Sequence, residues 1–197
     1  MATVLDGANN LCSLAELKLF VGINKSDETL DTQLEEYING ASWLLKEETK
    51  RFLKAQSITE YHDGTGSLLI MLRHRPVNSV TTLHSDSART FATASLIAAT
   101  DYQVYANGGY IVVTDAGLDV GARVIKVVYN GGYSTIPYDL KMAAIELATY
   151  WYEKFKSHRV GLKSVSSASN AGSDTYAEDM PGAVKKAITR YSEKVAI

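Results

Sequence analysis

The run Tyr129-Asn130-Gly131-Gly132-Tyr133-Ser134-Thr135-Ile136-Pro137-Tyr138-Asp139-Leu140-Lys141-Met142-Ala143-Ala144 changes its hydrophobic period part-way along, and that change decides the fold. Upstream, Arg123 to Tyr129 reads as a strand, with Val124, Ile125, Val127 and Val128 close together. Gly131-Gly132 breaks it. Pro137 suits the first turn of a helix, where its missing N–H has no intrahelical partner and its fixed φ already fits. Asp139 follows where a carboxylate meets the positive end of the helix dipole. Leu140, Ala144, Leu147, Trp151 and Phe155 then recur at i, i+4, i+7, i+11 and i+15, one continuous apolar stripe. The chain therefore leaves a β region here and enters a long helix with a buried face.

Working back towards the N-terminus, Ser13-Leu14-Ala15-Glu16 has the pattern of a capping box. It starts a short helix through Leu14, Leu17 and Phe20, ended near Gly22. A second helix is predicted from about Leu30 to Phe52, its stripe being Leu30, Leu34, Tyr37/Ile38, Ala41, Leu44/Leu45 and Phe52. Gly40 interrupts it at a cost of up to about 1 kcal/mol. Close packing against a neighbouring element and simple tolerance both account for it. Glu47, Glu48, Lys50 and Arg51 read as a solvated face.

From Ile58 short strand-like runs take over. Thr59 to His62 and Leu68 to Leu72 flank Asp63-Gly64-Thr65-Gly66, a hairpin pattern. Pro76 restricts pairing to an edge or a strand start. Val80 to Leu83 is a further strand, and Gln103 to Tyr105 with Tyr110 to Thr114 flank a second hairpin turn, Asn107-Gly108-Gly109. Ala88 to Thr100 has no assignment. Beyond the long helix, Ser164 to Ser173 is small and polar and is expected to be a flexible loop. Pro181 starts a last helix with Val184, Ile188, Tyr191 and Val195 as its stripe. The expected class is α+β: a helical bundle with a small antiparallel β-sandwich or barrel inserted between the second and third helices. The predicted divisions are 1–57 (N-terminal helices), 58–133 (β-rich insertion) and 134–197 (long helix, flexible loop and C-terminal helix).

The 197 residues suffice for one domain or two small ones, and the formal net charge of −2 is not that of a protein gripping nucleic acid by its phosphates. No apolar run reaches the length of a membrane span, and the N-terminus lacks the pattern of a secretory signal. A single cysteine, Cys12, forms no intrachain disulfide and fits a reducing cytoplasm. No catalytic constellation emerges. The nucleophile elbow and the phosphate loop are missing, and Gly64-Thr65-Gly66-Ser67 leads into a strand rather than a helix. His62, His74 and His84 all lie in the β region, without metal-ligand spacing; scattered histidines are the simpler explanation. Arg73, His74 and Arg75 fit either a phosphate contact or a solvated edge that blocks strand aggregation. No catalytic, cofactor-binding or metal-binding residue is assigned.

Gly131-Gly132-Tyr133, then Ile136-Pro137-x-Asp139-Leu140-x-x-Ala143 and an aromatic-rich helix, resembles the head–tail connector (adaptor) proteins of long-tailed bacteriophages, prophages and gene-transfer particles. The resemblance extends to Tyr61-His62-Asp63-Gly64-Thr65-Gly66-Ser67, to Arg75-Pro76-Val77-x-Ser79-Val80, and to Tyr176 with Met180-Pro181 before the final helix. It implies a structural, non-enzymatic virion protein, assembled in the host cytoplasm and placed at the head–tail interface. Such a protein forms a ring of about twelve subunits beneath the portal protein. The ring meets a head-completion (stopper) or tail-completion protein and passes DNA through its channel without sequence-specific binding. Membrane and cofactors have no part in it. On this resemblance the C-terminal part reaches the portal, with Arg159, Lys163, Tyr176 and Met180 as candidate contacts. Neighbouring helix residues point about 100° apart. Trp151 and Phe155 are therefore expected in the core, and Tyr150 and Tyr152 at the ring interface. The rival expectation is a small β-sandwich ligand-binding module on a helical frame.

Overall fold

The computed structural model describes residues 7, 9–115, 117–157, 164–166, 173–175 and 180–192. It is α+β, with helices α1 (Leu14–Val21), α2 (Asp31–Thr49), α3 (Tyr138–Lys156) and α4 (Gly182–Tyr191). The strands are β1 (Gln56–Gly64), β2 (Leu69–Met71), β3 (Val77–Ser85), β4 (Tyr102–Tyr105), β5 (Tyr110–Val113), β6 (Gly121–Gly131), β7 (Ser164–Ser166) and β8 (Ser173–Thr175). The chain divides into two compact units, residues 1–50 with 137–197, and residues 51–136.

In the helical unit the capping box at Ser13 is complete: the Glu16 N–H donates to the Ser13 hydroxyl and the Ser13 N–H to the Glu16 carboxylate. Gly22 closes α1 in the left-handed region at φ 78°. The buried face of α1 differs from expectation. Phe20 is 49% exposed, while Lys18 is buried. The stripe runs through Leu14, Leu17 and Lys18, and the Lys18 ammonium is satisfied there by Asp31 and by the carbonyls of Lys25 and Asp27. Helix α2 stops three residues short of its predicted end, because Lys50 turns into the left-handed region at φ 57°. Its fully buried Leu34, Ile38, Ala41 and Leu45 pack with Leu140, Ala144, Leu147 and Ala148 of α3, and Val184 and Ala187 of α4 complete the core. Pro137 is the residue just before α3 rather than inside its first turn. Asp139, in that first turn, accepts hydrogen bonds from the Tyr191 hydroxyl (2.6 Å) and the Arg190 guanidinium (2.8 Å), which ties the start of α3 to the end of α4. At the two ends of the stretch expected as a flexible loop, β7 and β8 pair antiparallel.

The other unit holds two small antiparallel sheets, β1-β6-β3 and β2-β5-β4. One cluster of buried side chains draws on both: Ile58, Leu83, Val127 and Tyr129 from the first, Ile70, Ile111 and Val113 from the second. Asn107-Gly108-Gly109 does turn β4 into β5, with Gly109 at φ 71°. Asp63-Gly64 does not form a hairpin. β1 pairs with β6 as far as Gly64 opposite Gly121, and β2 pairs with β5 in the other sheet. A carbon added at Gly64 would stand 1.7 Å from the Asp119 carbonyl oxygen, so this glycine serves a close backbone approach. Residues 88–100 form two short 3-10 turns, Thr93–Ser95 and Ala99–Asp101. Arg51 is buried, not on a solvated face, and its guanidinium donates to the Arg75 carbonyl.

Candidate assembly surfaces

The helical unit presents an apolar groove between α1 and α3. Leu19 (83% exposed), Phe20 and Tyr138 (76%) form its rim, Met142 and Ile145 its floor, around a volume of about 450 Å³. A salt bridge between Lys141 and Glu16 (2.7 Å) closes one side. Burial acts to raise the Glu16 carboxyl, but its bonds to Lys141 and Ser13 outweigh that and hold it below the usual carboxylate range. Lys141 is raised by the same partner. Cys12 is buried nearby in sequence and its thiol is pushed up to about 12, chiefly by desolvation, which makes it an inert packing residue. Sequence reasoning did not find this surface. Its signal was Leu19, an apolar residue off the helix stripe, and Tyr138, an aromatic at the very start of α3.

The far end of α3 corrects two expectations. Tyr152, a candidate for the ring interface, is buried at 6% exposure, while Phe155, expected in the core, is 49% exposed. Tyr152 lies on the flank of the stripe that also carries buried Ile145, seven residues back on the same face. Phe155 falls on the stripe but in the last turn of the helix. Trp151 is half-buried against Gly40, and Tyr150 is half-buried with the Lys154 ammonium 4.7 Å from its ring centre. Met180 is half-buried. Arg159, Lys163 and Tyr176 lie outside the described residues.

In the β unit, two of the three histidines converge on Glu60, whose carboxylate is buried. His62 Nε2 lies 3.1 Å from it and His74 Nε2 4.0 Å. The Tyr129 hydroxyl and the Arg73 N–H donate to it as well. His74 Nδ1 accepts the Phe52 N–H at 2.9 Å, so the Arg73-His74-Arg75 run is not a uniform cationic face: its middle residue points inward. Burial acts to raise the Glu60 carboxyl, and the bonds from His62, Tyr129 and Arg73 overcome that and leave it lowered. The same burial and the neighbouring carboxylate drive the Tyr129 hydroxyl far above its ordinary value, so it stays a donor. His84 stands apart, 3.2 Å from the Ser95 hydroxyl. Among the described residues no group of three or more histidine, cysteine or carboxylate side chains has the geometry to hold a metal ion, the His62–Glu60–His74 contact included, and no helix is long and apolar enough to cross a membrane.

The whole fold has counterparts in solved structures. The chain is similar to a chain in the neck of an empty gene transfer agent particle computed with C6 symmetry (TM-score 0.64, 20% identity, 96% of this chain and 92% of that one). It is similar to one in the neck of the native particle computed with C12 symmetry (0.62, 20%, 96% and 92%). A third lies in the virion of the native particle (0.62, 19%, 96% and 92%). No curated protein sequence matches the chain. A family model described as "Head completion protein" matches residues 10–191. The protein is therefore a structural head–tail connector. It belongs to the head completion protein family.

Proposed function

We propose that this protein is the ring-forming adaptor of a phage-like particle, stationed in the virion neck and devoid of catalytic activity. Copies associate side by side beneath the portal, extend the DNA channel without sequence-specific contact, and receive a stopper or tail-completion protein at the other end. The ring has about twelve members, matching the symmetry of the portal it sits on. The helices of 1–57 and 134–197 form the structural frame, and residues 58–133 are a small sandwich inserted into it. The family assignment favours this over a small-ligand module. The observation that carries it is the fold, shared over 96% of the chain with a chain in the neck of a particle computed with C12 symmetry.

The α1–α3 groove is our candidate for the lateral contact between copies. Leu19, Phe20 and Tyr138 expose large apolar side chains together, which in an isolated subunit is costly and in a closed ring is not. Tyr150 remains a second candidate at the ring interface, and Met180, with Arg159, Lys163 and Tyr176, at the portal. Electron micrographs of the purified protein mixed with its portal test the reading: rings should appear on portal for the wild type. With Leu19→Ser and Tyr138→Ser combined, rings should be lost while the melting temperature changes little. A fixed dimer at every concentration, with no ring on portal, would refute it.

A further inference from the structure

Among the described residues four non-glycine residues have positive φ. Lys50 ends α2. The other three, Arg89 (59°), Phe91 (50°) and Arg123 (55°), together with Tyr61, line one concavity of about 270 Å³ in the β unit. Left-handed backbone at a bulky L-residue is unfavourable and persists only where the surroundings impose it. They do so here. The Asp86 carboxylate accepts the N–H groups of Ala88, Thr90 and Phe91 at 2.7–2.9 Å, and the Asp63 carboxylate accepts that of Arg123 at 2.8 Å. Two carboxylates thus fix the backbone that turns these side chains into one place.

The assembled chemistry is cationic and aromatic. The Arg123 guanidinium lies 4.9 Å from the Tyr61 ring centre, and the Lys126 ammonium 5.6 Å from that of Phe91. The two rings are 5.6 Å apart at 55°. Tyr61 and His84 both stand opposite Lys126 across the sheet, and all three lie against the Phe91 ring. Among the described residues neither Arg89 nor Arg123 has an ion-pair partner for its guanidinium.

We propose that this concavity binds a carboxylate side chain presented by an acidic protein segment. Arg89 and Arg123 take the carboxylate through charge-assisted hydrogen bonds, and Tyr61 and Phe91 pack the methylene stem. A nucleic-acid backbone fits less well. It presents a row of phosphates, which proteins meet with many cations. This concavity holds two arginines, enough for one carboxylate and too few for a run of phosphates. The proposal does not rest on ring assembly, because the single chain carries every residue named.

The test is an NMR titration of the full-length chain with a capped oligoglutamate peptide. Oligoglutamine, inorganic phosphate and a short DNA duplex are run in parallel at about 150 mM salt. Oligoglutamate should give saturable shifts at the Arg89 and Arg123 Nε–H signals and at the Tyr61 and Phe91 rings; oligoglutamine should give none. Arg89→Gln and Arg123→Gln should each weaken binding by roughly tenfold. Should Arg123→Gln fail to fold, Arg89→Gln decides alone, since Arg89 is exposed. No saturation by about 10 mM peptide, or tighter binding of the duplex or of phosphate, would overturn the proposal.

Discussion

Gly40 sits within α2, and replacing it with alanine sets two effects against each other. Alanine is the better helix former, by about 1 kcal/mol. Its Cβ, however, would stand 3.0 Å from Cζ3 and 3.6 Å from Cη2 of Trp151 on α3. That is tighter than ordinary carbon–carbon packing, and a rigid, half-buried indole does not give way freely. Nor can the helix retreat easily, because Ala41 of α2 and Ala144 and Ala148 of α3 are fully buried beside it. Overpacking of this kind costs about 1–3 kcal/mol. The balance is a net loss of about 1 kcal/mol, which lowers a urea midpoint by roughly 0.5 M. The assay is selective. The chain has two tryptophans, Trp43 and Trp151, and both lie in the helical unit, so tryptophan fluorescence reports that unit. The control is the same substitution in a Trp151→Leu background, read from Trp43. There the clash is relieved and alanine should stabilise. If Gly40→Ala raises the midpoint in the wild-type background, or acts equally in both, the close approach is not what keeps glycine at this position.

Two other predictions concern the two cores. Leu147→Asp places an unpaired carboxylate at a site only 1% exposed. A loss above about 3 kcal/mol, or roughly 10 °C in melting temperature, is expected; an unchanged melting curve would mean the stripe of α3 is misplaced. Glu60 has its carboxyl lowered by folding from an ordinary value of 4.5, so the unfolded chain binds more protons than the folded one just below that pH. Its contribution is therefore complete above about pH 4.5 and is lost as pH falls through the lower, folded value. Glu60→Gln should cost about 1–2 kcal/mol at neutral pH and flatten the acid limb of a stability–pH profile. Equal acid sensitivity in both proteins would assign the acid limb to other carboxylates.

The helical frame was legible because its determinants are local. A capping box spans four residues, and the stripe of α3 declares itself within a few turns. What escaped depended on partners far along the chain. Asp63-Gly64 carries a hairpin pattern, yet β1 is claimed by β6 sixty residues later, and no turn propensity encodes that choice. Lys18 had no place on the apolar stripe of α1, and Arg51 read as part of a solvated face. Their burial depends on Asp31 and on the Arg75 carbonyl. At the candidate interface, the stripe ranked Tyr152 and Phe155 in the wrong order because a period locates a face and says nothing of where along it the neighbouring helices stop. Leu19 and Tyr138 passed unnoticed, and Phe20 was assigned to the buried stripe of α1, for a related reason: an exposed apolar residue acquires meaning only when others gather beside it.

The division of the chain into a continuous β unit and a helical unit drawn from both sides of it has a consequence for biosynthesis. Chains emerge from the ribosome N-terminus first, and domains generally fold as units. Residues 51–136 are contiguous, so once Ile136 is out every strand of the two sheets is available. α1 and α2 are made earlier yet must wait, because the faces they bury are answered by α3 and α4. The oldest helices are therefore the last to find their partners. During that interval Leu34, Ile38 and Leu45 lack the faces of α3 and α4 that cover them, and a nascent chain that has released Ile136 but not yet α3 would carry every strand of both sheets together with two helices in need of a chaperone.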